Sequence, residues 1–121
     1  MNGHDRIEEL RVSIDALDRR IVALLAERTA VVRELTEFKQ DEQTVRSPRR
    51  VEQVIAKVRG LADAQGLPPA IAEAVYRTLI AELTDLQLRR LAERRAGAGT
   101  PTAAASATPA SAAPAAVNGA A

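Results

Sequence analysis

The 121-residue chain predicts an all-α fold of three unequal helices, one long and two shorter, on three observations. From Ile7 to Phe38 the apolar residues recur at alternating spacings of three and four. Ser47-Pro48 and Pro68-Pro69 each stand directly before a further apolar stripe of helical period. No stretch alternates apolar and polar residues as a half-buried strand would.

The first helix follows from Ile7, Leu10, Ile14, Leu17, Ile21, Leu24, Arg28, Val31, Leu35 and Phe38, a heptad seam that predicts one helix from about Asp5 to about Gln40. At 1.5 Å per residue it would run roughly 50 Å, longer than a globule of this size is wide. Such a helix needs a partner surface along its whole length, and a second chain is the simplest supplier. Asp41 to Arg46 is polar and reads as a loop. Ser47 then serves as N-cap and Pro48 as first helical residue of the second helix, whose stripe is Val51, Val54, Ile55, Val58, Leu61 and Ala62. Gly66 ends it. The third helix opens at Pro68-Pro69 and presents Ile71, Val75, Tyr76, Leu79, Ile80, Leu83 and Leu86 on one face, out to about Arg94.

Composition narrows the function. There is no Cys and the one His is His4, which leaves no thiolate nucleophile, no disulfide framework and no Cys- or His-based metal site. A net charge of +1 gives no electrostatic footprint for nucleic acid, and one Phe with one Tyr leaves little to stack on bases. No apolar run is long enough to cross a membrane and no signal peptide is evident, so the expectation is a soluble cytoplasmic protein. The 17 basic and 16 acidic residues all fall within residues 1–95. Residues 96–121 are almost wholly Ala, Gly, Pro, Ser and Thr and read as a disordered tail beyond a 1–95 helical domain. A core built from so few residues is marginal alone, which again argues for oligomerisation.

Chemistry is best sought where polar residues interrupt an apolar pattern. Arg28 takes a seam position and must meet either an internal carboxylate, such as Glu27 or Glu34, or a bound anion. Lys39 lies three helical turns further on and about 16 Å along the axis, on the same face if the helix continues. Its alternative reading is a solvated lysine favouring the C-terminal dipole. Arg11 is about 25 Å from Arg28, beyond the reach of a shared small ligand within one chain. In an antiparallel dimer one chain's start can approach the other's middle; otherwise Arg11 pairs with Glu8 or Asp18. Gln87 follows Tyr76, Ile80 and Leu83 on or beside the inward face of the third helix, either bonded to backbone or turned to a ligand. Arg49 and Arg50 begin the second helix, Arg49 as solvated charge. Several cations and one amide around a partly apolar pocket suit a small polyanion, and a reaction that needs positioning and electrostatics with no metal or cofactor.

Leu10-Arg11-x-x-Ile14-x-x-Leu17-Asp18, Leu24-Leu25-Ala26-Glu27-Arg28, Phe38-Lys39, Pro48-x-Arg50 and Gln87, in that order, resemble the all-α (AroQ) class of chorismate mutases over residues 7–91. The resemblance implies an intertwined homodimer with two equivalent active sites. It implies that Arg11 is donated across the interface and that Arg11 and Arg28 hold the two carboxylates of chorismate. Lys39 and Gln87 would bond the ether oxygen and a neighbouring carboxylate, and Arg50 would line the same pocket. Chorismate would rearrange to prephenate through a pericyclic transition state that gathers charge on that oxygen, in aromatic amino-acid biosynthesis.

The chain departs from that pattern at two positions. Val51 stands where mutases of this class carry a Glu that accepts the C4 hydroxyl, and Ser47 stands near a position often held by Asp. Glu52 lies about 100° further round the helix and is no simple substitute. The Pro48 to Val51 segment is similar to the isochorismate-pyruvate lyases, which form salicylate, and aminodeoxychorismate mutases share the Arg-Val pair. The leading expectation is therefore a chorismate mutase, with lyase or aminodeoxychorismate mutase activity as enzymic alternatives. A helical regulatory or coiled-coil interaction module is the non-enzymic one, which Arg28 and Gln87 argue against.

Overall fold

The computed structural model describes residues 2–98 and forms four helical segments: α1 (Gly3–Thr36), α2 (Glu42–Arg46), α3 (Pro48–Ala64) and α4 (Pro69–Gly97). Among the described residues there is no strand, so the all-α expectation holds. The expected tail lies outside the described residues except for residues 96–98, of which Ala96 and Gly97 extend α4. Among the described residues no helix is long and apolar enough to cross a membrane.

The chain divides into one unit up to Val31 and a second from Val32. The first is helix alone. Asn2 starts it, its side-chain Oδ1 accepting the Asp5 N–H at 2.8 Å. None of residues 2–31 is buried, and the seam residues Ile7, Leu10, Ile14, Leu17, Ile21 and Leu24 are about half exposed or more.

The second unit holds the core. Val32 from the end of α1, Val54, Ile55, Val58 and Ala62 from α3, and Ala72, Ile80 and Leu83 from α4 pack into one cluster, with Val51, Tyr76 and Leu79 against its edge. Most of the expected α3 stripe is thus buried. Leu61 is the exception there, and on the α4 stripe Ile71 and Val75 are likewise more than half exposed. A Schellman arrangement closes α3: Gly66 takes φ 77°, its N–H reaches Asp63 O at 3.1 Å and the Leu67 N–H reaches Ala62 O at 2.8 Å. Gly66 supplies the left-handed conformation the sequence reserved for it.

Three local expectations need correction. Residues 41–46 are not wholly loop: Asp41 accepts the Thr44 N–H at 2.7 Å and so caps the single helical turn α2. Ser47 occupies the N-cap position of α3 but makes no side-chain cap bond. It also ends α2, and serving both ends puts it at φ 25°, outside the extended conformation in which a serine caps well. Finally, α1 stops at Thr36, four residues short of Gln40. Beyond it, Glu37, Phe38 and Lys39 donate to the carbonyls three residues back, which tightens the chain into a turn.

Candidate functional site

That turn decides where Lys39 goes. Arg94 donates from Nη1 to the carbonyls of Thr36 and Lys39, at 2.9 and 3.0 Å. Arg90 grips the Glu37 carboxylate with two bonds of 2.8 and 2.9 Å, and its guanidinium holds that carboxyl below its ordinary range. Arg95 reaches Gln40 O at 3.3 Å. Side chains from α4 thereby satisfy the carbonyls of Lys39 and Gln40 and add a second donor to that of Thr36, which already accepts the Lys39 N–H. The turn carries Lys39 inward.

Lys39 is only 2% exposed and Gln87 is fully buried. The Lys39 ammonium donates to Gln87 Oε1 at 3.0 Å. Burial, with added repulsion from Arg50, pushes Lys39 down to about 8 from an ordinary 10.5. The solvated-lysine alternative is therefore excluded. The Thr36 hydroxyl, 1% exposed, lies 2.7 Å from Val32 O and 3.0 Å from the same Gln87 Oε1.

The orientation of the Gln87 amide follows from this arrangement. An ammonium has donors and no acceptor, so only the carbonyl end of Gln87 can face Lys39. The amide nitrogen then points the other way, and Nε2 is buried with no partner among the described residues. A buried amide N–H left open in this way costs free energy unless something accepts it. Arg50, half-buried on the first turn of α3, likewise has its Nε shielded and without a hydrogen-bond partner there. The second unit thus assembles an ammonium, a guanidinium and an oriented amide, a donor set for anionic oxygen.

Val51 packs on the edge of the core and, with Pro48, Glu52, Thr84 and Asp85, lines a cleft of about 470 Å³ between α3 and α4. No carboxylate occupies its position. Ser47 is half-buried at the α2–α3 junction. In the first unit Arg28 is half-buried with its Nη1 shielded from water, and Arg11 is exposed and paired with Glu8 at 3.1 Å. Thr36 and Arg94 were missed at the sequence level. Thr36 reads there as one β-branched residue beside the seam, and the bond that distinguishes it spans 51 positions.

A family model described as chorismate mutase type II matches residues 10–88. The chain belongs to that family. Its all-α architecture agrees with the membership, which supports function of the chorismate mutase kind. No curated protein and no solved structure matches the chain. Among the described residues no cluster of His, Asp or Glu is placed to hold a metal ion.

Proposed function

We propose that the protein is a chorismate mutase, converting chorismate to prephenate without a cofactor. The observation that carries this reading is the Lys39–Gln87 pair, in which the ammonium fixes the amide so that Nε2 is left to donate. As the C–O bond of the substrate breaks, charge grows on the ether oxygen. Donors already oriented toward it lower the barrier without reorganising at the moment of reaction. Following the resemblance, Arg11 and Arg28 would hold the two carboxylates while Arg50 lines the same pocket, which selects the conformer that brings the reacting carbons together.

The same reading makes the working form a homodimer. A helical unit with no buried residue from 2 to 31 and a half-exposed apolar seam is not stable in water by itself. A second copy would cover that seam and bring Arg11 of the partner subunit to the site. The cytoplasm is the natural setting for such an enzyme. Val51 favours a second reading, isochorismate-pyruvate lyase, because the residue at position 51 is itself no acceptor for a C4 hydroxyl, although Glu52 and Asp85 bring carboxylates to the same cleft. Incubating the full chain separately with chorismate and isochorismate, and identifying the products, tests both. Prephenate from chorismate supports the mutase, salicylate with pyruvate from isochorismate supports the lyase, and no turnover of either refutes both.

A further inference from the structure

Gln87 ends in an amide whose last torsion joins sp³ to sp² carbon and is therefore broad and weakly restrained by its own chemistry. A single hydrogen bond fixes which end of that amide faces inward. It does not fix the plane, and the plane determines where the two Nε2 protons point. Two bonds to Oε1 from different directions fix both. Lys39 Nζ supplies one at 3.0 Å and the Thr36 hydroxyl is placed for the other at the same distance.

The hydroxyl has one proton and two acceptors within reach, Val32 O at 2.7 Å and Gln87 Oε1 at 3.0 Å. Given wholly to Val32, it would leave two bare oxygens facing each other at 3.0 Å across a buried gap. The amide cannot relieve that contact by turning over, since Nε2 would then face the Lys39 ammonium donor to donor. The arrangement is satisfied when the proton is shared with, or directed at, Oε1.

We infer that Thr36 is a positioning residue, whose buried hydroxyl works with Lys39 to lock the plane of the Gln87 amide so that Nε2 meets the reacting oxygen. The inference rests on the reading of Lys39 and Gln87 given above. It adds a residue that touches no substrate and acts only through Gln87.

Two substitutions separate this role from simple packing. Thr36→Val keeps the shape and removes the hydroxyl; Thr36→Ser keeps the hydroxyl and removes a methyl. A positioning role predicts that Thr36→Val lowers kcat by roughly 3- to 10-fold, the scale of one net hydrogen bond, with KM within about twofold. Thr36→Ser then stays near wild type. A packing role orders the two variants the other way, and that result overturns the inference.

The second measurement needs no substrate. In protein labelled with ¹⁵N-glutamine, the Gln87 side-chain amide, assigned by its loss in Gln87→Glu, should give one sharp pair of signals in wild type and Thr36→Ser. In Thr36→Val it should broaden or shift. An unchanged amide signal in Thr36→Val overturns the lock even if activity falls. Failure of the wild type to turn over chorismate or isochorismate would refute the proposed function, while the amide signals would still decide whether Thr36 locks Gln87.

Discussion

In the free protein the Lys39 ammonium sits at about 8, because burial strips its water and Arg50 repels it. Raising the pH from 7 to 9 should therefore take its charged fraction from about nine-tenths to about one-tenth, whereas an ordinary lysine would stay charged. If that charge stabilises the breaking ether bond, kcat/KM falls by roughly tenfold across the interval and by about tenfold more at pH 10. A bound dianion favours the ammonium, so the corresponding limb in kcat should lie above 8. Stability moves in the opposite direction. Folded Lys39 gives up its proton near 8 and unfolded Lys39 near 10.5, so between those values the unfolded chain binds more protons and stability rises with pH. Below 8 the buried charge costs on the order of 3 kcal/mol. Lys39→Met should thus be inactive yet, at pH 7, more stable than wild type by up to about that amount. Following chorismate loss by absorbance from pH 6 to 10, beside urea unfolding of both proteins, measures each effect. A flat kcat/KM between pH 7 and 9.5 would refute the assignment. So would an unchanged limb in an active Lys39→Arg variant, whose guanidinium does not titrate there.

Three further outcomes follow from separate features. Arg94→Met removes the side-chain donor to the Lys39 carbonyl and leaves the Thr36 carbonyl with only the Lys39 N–H, and should cost about 2 kcal/mol of stability in denaturant together with activity, since the turn that carries Lys39 loosens. Retention of both would show that the turn holds itself. Leu17→Asp, on the exposed seam, should abolish the proposed dimer and its activity, whereas the wild type should melt at temperatures that rise with protein concentration; a wild type that sediments as an active monomer contradicts the dimer. Val51→Glu should raise mutase efficiency several-fold if chorismate is the substrate, by supplying an acceptor worth roughly 0.5–1.5 kcal/mol. If isochorismate is the substrate it should lower lyase activity, and no change in either would mean that position 51 does not face the ligand.

The helices were readable because their signals are local. Pro48 opens α3, and Gly66 closes it at the φ that only glycine adopts freely. The seam from Ile7 to Leu24 predicted a surface in need of a partner, and its residues are about half exposed or more. Lys39 was singled out by continuing α1 three turns past Arg28, but the helix ends at Thr36 and a turn delivers the side chain instead. That route could not be read locally, because the arginines securing the turn lie more than 50 residues away. Asp41 could have been read, since an Asp followed three residues later by the residue whose N–H it accepts is a local capping signal. Thr36 could not, because nothing near it in the chain distinguishes a hydroxyl bonded to Gln87 from one bonded only to its own helix.

The family match ends at residue 88, whereas Arg90, Arg94 and Arg95, which hold residues 36–40 around Lys39, all lie beyond it. A chain cut where the family signature ends would keep Lys39 and Gln87 and lose the anchors that bring them together, along with the buried Leu91. The stretch by which relatives are recognised and the stretch this protein needs to hold its donors in place are therefore of different lengths. Trimming or fusing the protein at its C-terminal side is safe only beyond Arg95, even though no residue past Gln87 has a part in the proposed chemistry.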